Sequence, residues 1–410
     1  MTAAKAQPRR SWTATGPVRL LGWATAVFAA GMALGHGIEH RKLKARYEPR
    51  APDAPEVFER HEPGRGRIAG APHQIPHKGW TDIGWRVALA YFGDRIGFIS
   101  GGITYLALLS LVPALSAFVA LYGLFADPGT AWDHIDFMAS IMPPVVAEFI
   151  GQELTRLSVE RPGELGLAFV FSLALALWSA NAAVKGLFYG LNVAYHETEQ
   201  RNIVRYNLLC MAFTIAGLAF VLVITALVVL APLAIKLAGL PLSLEPLAPL
   251  RWPVLFAVFW VGLTLAYRYG PCRARARWRW LTLGAVAATI GSGAVSLAFS
   301  LYLSEIADFR RAYGPLGAVM GFMLWTWLSV QVVLMGAVLN AEIEHQTAVD
   351  TTTGEPLPIG QRGALMADTV GPRRGSPRAL AYTLKHAESM AHKAEKRRGR
   401  KLPPTPPPGA

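Results

Sequence analysis

Six stretches of this chain contain no aspartate, glutamate, lysine or arginine: Ile96–Ala126, Leu165–Val184, Tyr206–Ile235, Trp252–Tyr267, Trp280–Ser304 and Ala312–Ala341. A helix of about 20 mostly apolar residues crosses roughly 30 Å of hydrocarbon. Five of the six runs are at least 20 residues long, and Trp252–Tyr267 has 16. The short run covers about 24 Å at helical rise. Arg251 and Arg268 flank it and can reach the headgroups, and Trp252 suits the interface. Helices buried in soluble proteins keep a charged stripe for water, which these runs lack. Only 16% of the chain is charged, and its mean hydropathy is +0.31; soluble domains carry about 25% charged residues. The expectation is an all-α, polytopic membrane protein. It has a six-helix bundle over residues 79–345, an extension over 1–78 and a basic, largely disordered tail over 346–410.

Lysine and arginine in short loops set orientation. Lys78, Arg86 and Arg95 precede the first run. Lys185, Arg201 and Arg205 lie between the second and third, and Arg268, Arg273, Arg275, Arg277 and Arg279 between the fourth and fifth. The intervening loops are poorer: Asp127–Glu164 has two arginines against seven acids. The alternation predicts that both ends of the bundle face the cytoplasm. Within the long loop, Ile135, Met138, Ile141 and Met142, then Val146, Phe149, Ile150 and Leu154, have the spacing of short amphipathic helices on a membrane surface.

The ends differ from the body. Leu20–Ile38 is a further charge-free run with basic residues on both sides. It is read as an additional span, against a signal-like anchor or an interfacial helix. Pro49–His77 carries six prolines and reads as a flexible linker. From Arg373 to Lys401 there are ten lysines and arginines against Glu388 and Glu395, a net +8 of the chain's +13. Leu380, Leu384, Ala387, Ala391 and Ala394 form a modest helical seam among these charges. A basic juxtamembrane segment of this kind partners anionic lipid headgroups. Nucleic acid is not the expected partner, since no aromatic platform accompanies the charge. Pro403–Pro408 reads as an unfolded terminus.

No catalytic constellation stands in the chain. The ten histidines are scattered; the close pairs His36/His40 and His73/His77 lie outside the bundle. There is no acidic cluster, P-loop or Gly-x-Ser-x-Gly motif. Cys210 and Cys272 make neither a disulfide framework nor a metal spacing. No catalytic residue, cofactor or metal site is therefore expected. Polar and small residues within the spans carry what signal there is. The small-xxx-small steps Gly97/Gly101, Gly186/Gly190 and Gly317/Gly321 read first as close helix packing, and they permit a homo-oligomer without requiring one. Thr104, Tyr105, Ser110 and Pro113 follow in the first span. Pro113 frees a backbone carbonyl that needs another partner. Asn181, Lys185, Asn192 and Gln331 lie in or beside spans, where an amide more often bonds a neighbouring helix than a substrate. Glu342 and Glu344 end the last span, within reach of Arg268 or Arg273.

Several local patterns extend this reading: Gly102-Ile103-Thr104-Tyr105 with Ser110-Leu111-Val112-Pro113, Leu177-Trp178-Ser179-Ala180, Leu191-Asn192-Val193-Ala194-Tyr195, Tyr267-Arg268-Tyr269-Gly270-Pro271, Tyr313-Gly314-Pro315-Leu316-Gly317, and Gly336-Ala337 with Asn340. In this order and spacing the chain resembles the YihY/BrkB family of bacterial inner-membrane proteins, over about Trp80 to His345. The resemblance implies six helices with cytoplasmic ends. It adds Arg268, Pro271, Tyr313, Gly314, Gly336 and Asn340 to the candidate functional or packing positions. It supplies no settled activity: members have carried a ribonuclease BN label, which no nuclease constellation here supports, or a virulence or serum-resistance phenotype. The family often shows an acid within the Gly-Ala-x-x-Asn stretch, where this chain has Val338 and Leu339. The expected role is to translocate or accommodate a lipid-like amphipathic molecule, against a membrane scaffold that supports the envelope and, further behind, a ribonuclease.

Overall fold

A computed structural model describes residues 55–125, 162–225, 251–305 and 314–376. Residues 1–54, with the Leu20–Ile38 run, lie outside these segments, as do the tail beyond 376 and the long loop's apolar stripes. Eight α-helices occur among the described residues: α1 (Pro55–His61), α2 (His77–Gly93), α3 (Ile96–Phe125), α4 (Pro162–Ala194), α5 (Ile203–Thr225), α6 (Arg251–Tyr269), α7 (Trp278–Glu305) and α8 (Gly317–Glu344). Short 3₁₀ turns at Pro72–Gln74 and Gly314–Leu316 complete them.

Helices α3 to α8 each fall on one charge-free run. Three contain stretches long and apolar enough to cross a membrane: Ile203–Phe220, Trp278–Leu303 and Val319–Glu344. Ile96–Leu111 and Pro253–Tyr269 are shorter apolar stretches. Their outward faces are apolar, with Phe98 82% and Phe171 71% exposed, a distribution suited to hydrocarbon and costly in water.

The helices begin and stop where local chemistry requires. Pro76 precedes α2 and Pro162 opens α4, where a missing N–H costs nothing. The α2–α3 turn passes through Arg95 at φ +56°, and α4 ends through His196 at φ +55°. Asn202 starts α5 by accepting the Val204 N–H at 3.1 Å. Gly270 and Pro271 stop α6. Pro113 lies inside α3 without ending it.

Inside the bundle, small residues allow close approach. A Cβ on Gly190 would meet Leu334 of α8 at 2.9 Å, and one on Gly186 would meet Ile103 of α3 at 3.2 Å. Tyr267 of α6 donates to the Val333 carbonyl at 2.6 Å. Phe188, Leu191, Tyr195, Leu281, Leu334 and Ala341 are fully buried among these helices.

Two segments differ from the sequence expectation. Residues 62–76 are no free linker: Arg67 and Ile75 are buried, and Ala69, Ile75 and Ile83 pack with Trp280 and Ile343. Residues 346–376 are likewise ordered against the bundle, with Gln346, Thr347, Ala348 and Thr351 fully buried. An isolated antiparallel bridge pairs Thr352 with Ala276. These segments are poor in large apolar residues, so apolar density does not reveal them; satisfied polar groups hold them instead.

Candidate functional site

Residues 62–76, residues 346–376 and the α6–α7 loop meet at one end of the bundle in a polar cap. Its centre is the end of α8. Arg86 of α2 donates to the Glu342 carboxylate at 2.5 Å, to the Glu342 carbonyl at 3.0 Å and to the Gln346 side chain at 2.8 Å. Arg273, from the α6–α7 loop, grips both oxygens of Glu344 at 3.0 and 2.7 Å. Arg67 donates to Glu62 and to the carbonyls of Gln346 and Gly371. Asp82 pairs with Arg65 and accepts the Arg374 N–H. Thr351 closes on Glu344 at 3.0 Å. Buried charges need such partners, because desolvation of a lone ion costs more than most contacts return.

The 346–376 lobe is held internally by Arg362, Asp368 and Asp350, the last accepting the N–H groups of Thr352 and Leu357. Arg362 donates to the carbonyls of Ala348, Leu357 and Ala367. Asp368 accepts backbone N–H groups from Gly360, Arg362, Gly363 and Ala364. The Leu365 N–H, donating to Glu197 at 2.7 Å, ties the lobe to the end of α4. Burial pushes the Glu197 carboxyl up to about 7, against the opposing pull of that N–H and of Arg273. His345 is buried, and burial lowers its proton affinity. Neither ring nitrogen has a hydrogen-bond partner, although Glu342 lies 3.4 Å away.

The positions singled out from sequence fall into distinct settings. Asn192 accepts the Cys272 N–H at 2.7 Å and donates to Glu199 at 3.1 Å. Arg201 pairs with Glu199 and donates to the carbonyls of Tyr269 and Gly270. Asn192 and buried Pro271 thus share one joint between the α4–α5 and α6–α7 turns. Asn340 and Gly336 share another: Asn340 accepts the Gly284 N–H at 2.7 Å and donates to the Leu281 carbonyl at 2.9 Å. Arg268 bonds the Ala276 carbonyl and lies 4.2 Å from the Trp278 ring centre, away from both glutamates. Gln331 accepts from Tyr91 at 2.5 Å. The Lys185 carbonyl accepts from Tyr206 at 3.3 Å. Ser110 bonds back to the Ala107 carbonyl. Tyr105 faces outward, 56% exposed. Asn181 is buried with its amide oxygen unpartnered. Gly314 has φ +57°, and Tyr313 lies outside the described residues. No group of three potential metal ligands occurs among the described residues. The Arg86–Glu342 and Arg67 contacts had no local sequence signal beyond charges at run edges.

A second feature lies between α7 and α8, toward the end away from the cap. Val295, Ala298, Phe299 and Tyr302 of α7 and Leu324 and Leu328 of α8 line a groove of about 320 Å³ whose lining is entirely apolar. The antiparallel register is fixed by the Asn340–Gly284 bond, by Gly291 against Val332 and by Trp325 donating to Ser296 at 3.2 Å. That register sets Ser292 and Ser329 at one level, at the capward limit of the groove. Their hydroxyls and that of Thr326 are buried without partners.

Bundle and polar cap define a helical membrane protein. The chain belongs to the Virulence factor BrkB family, whose sequence profile matches residues 88–358. It is 29% identical over 247 residues to the ribonuclease-like protein YfkH of Bacillus subtilis (strain 168), covering 59% of this chain and 88% of that protein. The UPF0761 membrane protein Mpe_A1422 of Methylibium petroleiphilum is 25% identical over 284 residues, covering 68% of this chain and 66% of its own. A UPF0761 membrane protein of Vibrio cholerae is 26% identical over 280 residues, covering 66% of this chain and 90% of its own. The match spans only 59% of the Nitrosospira multiformis relative. No solved structure matches the chain.

Proposed function

We propose that the protein accommodates, and moves along its α7–α8 seam, an amphipathic molecule with an aliphatic chain. The observation that carries this reading is the groove: its lining is wholly apolar, and buried, unpartnered hydroxyls lie at its capward limit. Hydroxyls left without partners in a low-dielectric setting are costly, and a polar group on a bound molecule would relieve that cost. The arginine-rich loops support a cap on the cytoplasmic side of the inner membrane, with the basic tail against anionic headgroups.

The test is photocrosslinking in vesicles containing a phospholipid with a diazirine near the acyl terminus. Crosslinks are expected on peptides 295–302 and 324–328, and Ala298→Trp, which fills the groove, should reduce them about tenfold while the protein still inserts. Equal labelling of the wild type and Ala298→Trp would sink the proposal. An envelope defect caused only by deleting Arg373–Ala410, with crosslinking intact, would favour the scaffold reading.

A further inference from the structure

We propose that Glu197 is a proton-binding site whose occupancy decides whether the 346–376 lobe stays docked on the end of α4. Other carboxylates of the cap are better compensated: Asp368 accepts four backbone N–H groups. Glu62, Asp82, Glu199, Glu342, Glu344 and Asp350 each lie within 4.0 Å of an arginine. Glu197 has no such cation among the described residues, and its one hydrogen bond is the Leu365 N–H at 2.7 Å. The left-handed turn at His196, φ +55°, swings the chain off the axis of α4 and delivers Glu197 to the underside of the lobe. The buried residues Ala364, Met366 and Ala367 flank that contact.

The charged groups facing Glu197 come from three places. Arg273 approaches from the α6–α7 loop, Asp368 from the lobe and His196 from its own turn. Arg273 gives one guanidinium nitrogen to both oxygens of Glu344 and leaves its Nη1 unpartnered, out of hydrogen-bonding reach of Glu197, and the Asp368 carboxylate repels a second negative charge. His196 itself lies 3.4 Å from Asp94. A charged Glu197 therefore has a backbone N–H and little else to replace water, whereas the neutral acid keeps the same acceptor oxygen for Leu365 without the charge.

The direction follows from linkage. Docking raises the proton affinity of Glu197 from that of an ordinary carboxyl, about 4.5, to about 7. The docked lobe therefore binds a proton that the free lobe does not, and docking weakens as pH rises through this interval. Between about pH 6 and pH 8.5 the docking equilibrium should fall roughly tenfold, and above pH 8.5 it should be flat. Acid closes the lobe; alkali opens it. This coupling stands whether or not the groove binds lipid.

The full chain in nanodiscs, pulsed briefly with deuterated buffer, reads the docked fraction through exchange of the Leu365 amide, the group that bonds Glu197. Dividing the wild-type rate by that of Glu197→Gln at each pH removes the intrinsic pH dependence of exchange. The expected result is a ratio that climbs about tenfold from pH 6 to 8.5, with His196→Gln behaving like the wild type. A constant ratio, or a climb abolished by His196→Gln, overturns the proposal. A second reading needs no variant: the protonated-carboxyl infrared band of the wild type should fade over the same interval, and an unchanged band overturns the proposal equally.

Discussion

Gly336→Ala should cost the protein about 3–5 kcal/mol, from overpacking of typically 1–3 kcal/mol together with hydrogen bonds worth roughly 1 kcal/mol each. A Cβ built on Gly336 stands 2.6 Å from the Gly284 carbonyl, 2.6 Å from the Tyr267 hydroxyl and 2.7 Å from the Ala288 Cβ. Two of these obstacles belong to the facing helix, so no rotamer change clears them. Helices α7 and α8 must separate, and the separation stretches both Asn340 bonds and the bond from Tyr267 to Val333. Thermal unfolding in detergent measures the loss. Gly321→Ala is the comparison, because its Cβ would meet only Phe299, at 4.0 Å, and a shift near zero is expected there. Equal melting of Gly336→Ala and the wild type would refute the close crossing.

Arg86→Ala should be as damaging through a different mechanism. Removing the guanidinium leaves Glu342 buried without its cation, and breaking a buried pair from one side costs about 3–5 kcal/mol. The same change releases Gln346 and the Pro372 carbonyl, so backbone amides of residues 371–376 should exchange faster with deuterium. Arg86→Met combined with Glu342→Leu removes both charges, and desolvation no longer opposes folding; the double variant should recover most of the loss. If Arg86→Ala costs under about 1 kcal/mol, the pair behaves as an exposed one, contrary to its burial.

The sequence reading succeeded where the governing physics is local. A run without charges, such as Trp280–Ser304, marks its helix because each of its residues independently favours hydrocarbon. Even the short Trp252–Tyr267 run was legible, since Arg251 and Arg268 were read as its flanks and the helix spans Arg251–Tyr269. The run edges offer Arg268 or Arg273 to Glu342 and Glu344; of these the structure makes only Arg273–Glu344 among the described residues, and Glu342 takes Arg86. Arg268 was not separable from Arg273 by that argument, and it instead lies over Trp278. The ordering of 62–76 and 346–376 was illegible for another reason. Arg362 and Asp368 are satisfied mainly by backbone groups, and Arg67 by two carbonyls beside Glu62; backbone groups carry no residue-type signature. Glu197 was likewise invisible, because what distinguishes it is a missing cation, a property of the folded neighbourhood alone.

The span between bonding partners in the cap has a consequence for biogenesis. Arg67 reaches the Gln346 carbonyl across 279 positions, and Gln346 reaches the Arg65 carbonyl across 281. During synthesis the early arginines emerge long before anything exists to receive them, and they stay hydrated until the last helix is in the bilayer. Closure of this end therefore reports that translation has reached the lobe. A ribosome-released fragment lacking the final hundred residues would present Arg67, Asp82 and Arg86 to the surrounding water, a difference that quality-control proteases could read.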